Sequence, residues 1–173
     1  MVGITKSVQY ALKSYGIHEP DLKRLTPFIG PPLKDSFMKY YGFPEEQAKE
    51  AIGRYREYFA VTGIFENRVY EGIPELLKNL KAAGKHLLVA TSKPELFAIQ
   101  ILEHFHLKEY FDFIGGASMD EVRVRKGDVI TYVLDTVTLT DVSAAVMVGD
   151  REHDILGAGE NRMDSIGVLF GYG

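Results

Sequence analysis

Ala144-Ala145-Val146-Met147-Val148-Gly149-Asp150-Arg151-Glu152-His153-Asp154 is the most informative run in the chain. Its apolar first half, rich in β-branched valine and bounded by glycine and charge, predicts a buried strand of a parallel sheet. Gly149 permits a tight turn and puts Asp150 just past the strand's carboxyl end, where open α/β sheets bind their ligands. A helix predicted over 152–160 carries Asp154 on its first turn, so both carboxylates can face one small volume. Two hard oxygen donors suit Mg²⁺, which takes one or two protein carboxylates and completes its shell with water and phosphate. A solvated acidic turn would read the same way, and this segment alone leaves both readings open.

Composition sets the outer limits. A chain of 173 residues can bury a real core in one domain, or in a core domain with a small companion. The net charge of −4 argues against a nucleic-acid partner. Without cysteine there is no disulfide framework, thiolate metal site or cysteine nucleophile. No apolar run reaches transmembrane length and no signal-peptide pattern opens the chain, so no membrane partner and a cytoplasmic location are expected.

Working outward, the chain changes character near residue 65. Residues 4–60 are helical by period. Ile4, Val8, Ala11, Leu12 and Tyr15 share one helix face, with Gly16 as its stop. Leu22 and Leu25 suggest a short helix before Pro27, and Phe28-Ile29-Gly30-Pro31-Pro32 is a stiff loop opening a helix through Tyr40. The clearest helix covers 44–59, with Ala48, Ala51, Ile52, Tyr55, Tyr58 and Phe59 on one side. Tyr40 and Tyr41 join Tyr55 and Tyr58 as expected core and bundle-interface residues.

Residues 65–173 alternate helix and strand. Helices are predicted over 75–83 (Leu76, Leu77 and Leu80 inward), 94–105, 127–135 and 152–160. Strands are predicted over 86–91, 111–114 (ending at Gly115-Gly116), 144–148 and 165–170. Such alternation implies a Rossmann-like parallel sheet with helices on both faces.

Other candidate sites sit at the ends of those strands. Thr91 and Ser92 lead into a helix N-terminus, where free N–H groups and the dipole favour phosphate; capping the helix is the commoner role for such hydroxyls. Lys126, in Arg123-Val124-Arg125-Lys126, stands at a helix start against the dipole and could neutralise a phosphate, while Arg123 and Arg125 read equally as solvated surface. The loop around Gly30 and Pro31, with Arg24 and Lys34 nearby, is either a substrate-selecting lid or a plain helix–helix connection.

The ordered set Thr91-Ser92, Lys126 and Gly149-Asp150-x-x-x-Asp154, each after a strand, resembles the haloacid dehalogenase-like phosphohydrolases. The helical first part, Ile29-Gly30-Pro31-Pro32-Leu33 and Val69-Tyr70-Glu71-Gly72 resemble their phosphoglycolate phosphatase-like branch, which carries a helical cap. The resemblance implies an α/β fold with a cap at 1–64 and a Rossmann-like core at 65–173. It implies Thr91 and Ser92 on the phosphoryl oxygens, Lys126 balancing charge, and Asp150 and Asp154 at Mg²⁺. Arg24, Gly30 and Pro31 would select among small phosphate monoesters such as phosphoglycolate, nucleotides or sugar phosphates, in a monomer or homodimer.

In the family an aspartate attacks phosphorus and water then hydrolyses the aspartyl phosphate, with a second aspartate as acid and base. Both lie in an Asp-x-Asp motif on the first, central strand, and no Asp-x-Asp occurs in this sequence. The expectation is therefore a core whose first central strand is missing, a truncated or inactive phosphatase. The alternative is a non-catalytic relative that binds a phosphorylated ligand or a partner, and a strand from another chain could also fill the gap.

Overall fold

The computed structural model describes residues 2–120 and 122–171. It divides into two compact units, Met1–Val69 and Tyr70–Gly173.

The regular structure of the first unit is helical, with α1 (Val2–Lys13), α2 (Leu33–Tyr41) and α3 (Glu45–Phe59). α3 packs on both α1 and α2, and a 3-10 turn at Leu22–Phe28 fits against α1 and α2. α3 buries Ala48, Ala51, Ile52, Tyr55 and Phe59, the face that its 3.6-residue period picks out, whereas Tyr58 is half-buried. Val8, Ala11 and Leu12 of α1 face them, and Leu25 and Phe37 complete a core of fully buried side chains. Burying a Leu or Phe of this kind is worth about 1.5–3 kcal/mol, which holds a bundle whose helices are individually short. Tyr40 is not a buried core residue: it stays 45% exposed, with its ring 5.8 Å from that of buried Phe28 and the Lys39 ammonium 5.2 Å from its centroid.

The second unit runs α4 (Ile73–Ala82), β1 (Leu88–Pro94), α5 (Glu95–His104), β2 (Phe113–Ala117), α6 (Lys126–Thr136), β3 (Val146–Gly149), α7 (Glu152–Glu160) and β4 (Asp164–Gly167). All strand pairing is parallel, as the alternation of elements predicts. Its core joins Phe97 and Ala98 of α5, Ile114 of β2, Val129, Ile130, Val133 and Leu134 of α6, and Ala158 of α7.

The strands form two separate parallel pairs, β1 with β2 and β3 with β4, in keeping with the expected core whose first central strand is missing. Among the described residues nothing pairs with the second edge of β1 or of β3. The run at 144–148 is not a buried strand. Ala144 ends a 3-10 turn, and β3 alternates in burial, with Val146 and Val148 about half exposed, because α7 is the helix that packs on it. α4 forms with Leu76 exposed and Leu77 and Leu80 only half-buried, since its main neighbour is the short turn Lys108–Tyr110.

β1 begins later than predicted and continues to Pro94, and β4 stops at Gly167. β2 does not end at its glycines but carries them inside. A Cβ on Gly115 would lie 2.3 Å from Val133 Cγ2, and one on Gly116 would lie 2.6 Å from the Lys93 carbonyl oxygen. Only residues without a side chain let α6 and the crest of β1 approach β2 this closely.

Candidate active site

The site begins where β1 leaves its partner. Thr91 pairs with Gly116 and Pro94 with Ala117, so Ser92 and Lys93 bulge out of register at the carboxyl end of the strand. Thr91 Oγ1 accepts a hydrogen bond from the Lys93 N–H at 3.2 Å, which shapes that bulge. The hydroxyls are not helix caps. Pro94 is the N-cap of α5 and makes no side-chain capping bond, so the capping role expected of Thr91 and Ser92 falls away. Both residues are half-buried. Although part of the Lys93 residue stays exposed, burial pushes its ammonium down to about 8.

Lys126 opens α6 and reaches across to two other elements. Its Nζ lies 2.8 Å from Asp154 Oδ1 on α7 and donates to the carbonyl oxygen of Ala90 on β1 at 2.9 Å. The two side chains retain only 11% and 8% of their exposure. A lysine at a helix start works against the dipole, and this buried pair supplies the compensation. Asp154 Oδ2 also accepts the Arg151 N–H at 3.1 Å, closing the first turn of α7. The carboxylate folds back over Gly149, where a Cβ would meet Asp154 Oδ2 at 2.2 Å. The glycine of the Gly149-Asp150 pair is thus needed to seat the second carboxylate as well as to turn the chain.

Asp150 follows directly on β3 and is half-buried. Gly171 passes so close that a Cβ there would lie 2.1 Å from Asp150 Oδ2. Both oxygens of Asp154 are engaged, one by Lys126 and the other by the Arg151 N–H. No group of three or more His, Cys, Asp or Glu able to hold a metal occurs among the described residues. That donor set cannot cage a cation by itself, yet it fits Mg²⁺, which asks for one or two carboxylates and takes its remaining ligands from water and phosphate.

Arg123 is not the solvated cation that its cluster suggested. Its guanidinium stacks 3.6 Å over the Tyr132 ring, its Nε donates to the Gly116 carbonyl at 3.0 Å, and Nη2 lies 3.6 Å from Glu95. Glu95 in turn accepts the Gly116 N–H at 3.2 Å. This brace ties the end of β2 to the start of α5, on either side of the Thr91–Pro94 bulge. Arg125 pairs with Glu160 on the surface at 3.2 Å. Neither the brace nor the Ala90 carbonyl was visible in sequence, although Glu95 immediately after Pro94 is a signal for a helix start.

The remaining sequence candidates belong to the helical unit. Gly30 takes a φ of 106° and Pro32 caps α2, giving the stiff loop foreseen at 29–32. Arg24 pairs with buried Glu19 at 3.3 Å, and Phe28 packs edge-on against Phe37 at 5.0 Å.

The family described as haloacid dehalogenase-like hydrolase matches residues 2–168. A 5'-nucleotidase of Pseudomonas aeruginosa is 51% identical over 171 residues, which are 99% of this chain and 77% of that protein. The tyrosine-protein kinase PtkA of Mycobacterium tuberculosis is 39% identical over 171 residues, 99% of this chain but 58% of its own length. Phosphoglycolate phosphatases are also similar, with 31% identity in Agrobacterium fabrum over 98% of this chain and 74% of that protein. The crystal structure of a predicted phosphatase from Clostridium acetobutylicum superposes with a TM-score of 0.95 at 52% identity, over 99% of this chain and 79% of that one.

Proposed function

The chain belongs to the haloacid dehalogenase-like hydrolase family, and from that premise we propose that it forms the phosphate- and Mg²⁺-handling part of a phosphatase for small phosphate monoesters. The observation that carries this reading is the Lys126 ammonium, held 2.8 Å from Asp154 and 2.9 Å from the Ala90 carbonyl oxygen, one residue before Thr91. A fixed cation beside a strand-end hydroxyl is what a transferring phosphoryl group requires, because charge grows on its oxygens.

Each residue then has a role. Thr91 and the Ser92 backbone orient phosphoryl oxygens, and Lys126 offsets their charge. Asp150 holds Mg²⁺ directly. Asp154 serves the metal site chiefly by holding Lys126, because both of its oxygens are already engaged. Bound Mg²⁺ would supply further neutralisation of phosphoryl charge. The helical unit is the cap, and Arg24, Gly30 and Pro31 select the substrate. A nucleoside monophosphate is the first substrate to test, given the identity with a 5'-nucleotidase, and phosphoglycolate the second.

The sequence contains no Asp-x-Asp. Turnover on this reading needs a carboxylate strand supplied at the unpaired edges of β1 and β3, and the chain alone is inactive. The same absence favours a second reading, a relative that binds a phosphorylated ligand without hydrolysing it.

The test is Mg²⁺-dependent release of phosphate from AMP, phosphoglycolate and p-nitrophenyl phosphate. The 173-residue chain is assayed beside the same chain preceded by a strand bearing Asp-x-Asp. Activity confined to the longer protein is expected. Activity in both would mean that another residue is the nucleophile, and silence in both would leave the ligand-binding reading.

A further inference from the structure

Asn161 stands at the C-terminal cap of α7, where a helix-ending asparagine ordinarily draws no functional attention. Its side chain does more than end the helix. Nδ2 donates to the Gly157 carbonyl in its own helix at 2.9 Å and to the Gly127 carbonyl of α6 at 3.0 Å. Oδ1 accepts from Thr131 Oγ1, one turn further along α6, at 2.7 Å. The amide therefore spends both of its N–H groups and its oxygen on the seam between α6 and α7.

That seam is where Lys126 is rooted. Gly127 is the next residue, and α7 approaches it so closely that a Cβ on Gly157 would lie 2.9 Å from Lys126 Cγ and 3.0 Å from the Gly127 nitrogen. The helices thus cross backbone to backbone at the first turn of α6, with Asp154 one helical turn before Gly157. A lysine ammonium rides on a flexible four-carbon stem, and its position is only as fixed as the backbone beneath it. We infer that Asn161 is a positioning residue for Lys126: by locking the first turn of α6 onto α7 it keeps the ammonium on Asp154 and the Ala90 oxygen. The consequence for phosphate rests on the role proposed for Lys126, but the positioning itself does not.

Asn161 has φ −94° and ψ 8°, which alanine adopts freely, so Asn161→Ala removes the amide without straining the backbone. Trace acetylation of the native protein, read lysine by lysine by mass spectrometry, measures how well Lys126 is held. The exposed Lys13, Lys39 and Lys85 serve as internal references. Losing the amide's bonds to α6 is expected to raise Lys126 labelling on the order of tenfold relative to the references. Thr131→Val, which removes the Oγ1 bonds to Asn161 Oδ1 and to the Gly127 carbonyl but leaves both donations from the Asn161 amide, should raise it by a smaller factor and guards against a misfolded alanine variant. Unchanged Lys126 labelling in folded variants would overturn the inference, and so would an equal rise at every lysine, which is general loosening. A separate arm adds inorganic phosphate with Mg²⁺ to the unsubstituted protein. Slower labelling of Lys126 supports its phosphate role. No slowing refutes that role and leaves Asn161 to be judged on the first arm.

Discussion

Replacing Lys126 with methionine keeps the length of the stem and removes the charge, leaving Asp154 as a carboxylate with 8% of its side chain exposed. Breaking a buried pair from one side costs about 3–5 kcal/mol, because the remaining charge is left uncompensated. Asp154 Oδ2 keeps its bond from the Arg151 N–H, which argues for the lower end, about 3 kcal/mol. For a unit of this size that corresponds to a fall in Tm of about 14 °C. The companion variant Lys126→Met with Asp154→Asn removes the charge from both sides and preserves an oxygen for the Arg151 N–H. It should regain at least half of the loss, because replacing both members of a buried pair is far less costly than replacing one. Thermal and urea denaturation followed by circular dichroism measures both. A single variant as stable as the parent would refute the claim that the pair is buried and structurally coupled. A double variant less stable than the single would refute the attribution of the loss to the stranded carboxylate.

Two further outcomes are expected. Gly157→Ala should cost about 1–3 kcal/mol of stability, because its Cβ would press on backbone and stem atoms of Gly127 and Lys126, whereas Gly127→Ala should cost far less, its closest clash being with the carboxylate end of the Glu160 side chain; equal effects in denaturation would contradict the seam. Burial lowers the Lys93 ammonium from 10.5 to about 8 in the folded protein. Between those values the unfolded chain binds more protons than the folded one, so the parent should gain stability relative to Lys93→Met as pH rises from about 8 towards 10.5. Parallel curves of Tm against pH for the two proteins would contradict it.

Much of the fold was legible because local rules and tertiary packing agree. The apolar face of α3 follows its period, and the α7 boundaries follow the turn at Gly149 and the acidic first turn after it. Reading the strand-end residues in order led to Lys126 and Asp154, and the structure joins them in one buried pair. What sequence could not show is how much of an element its neighbours cover. The valines of β3 and the leucines of α4 have the composition of buried residues, yet Val148 and Leu76 remain about half exposed, because burial belongs to the partner as much as to the side chain. Backbone acceptors were equally hidden: the Ala90 carbonyl and the Gly127 carbonyl carry no residue-type signal. Arg123 misled for the opposite reason, since a basic cluster on paper says nothing of the Tyr132 ring beneath one member of it.

On the proposed function, strand-end residues of this chain bind phosphate together with Mg²⁺ at Asp150. Isothermal titration of inorganic phosphate into the purified chain, with and without Mg²⁺, tests that binding when repeated on Asp150→Asn. Saturable binding that depends on Mg²⁺ and is lost in the variant is the expected result. Absence of binding in the unsubstituted protein, or Mg²⁺-dependent binding of equal strength in Asp150→Asn, would contradict it.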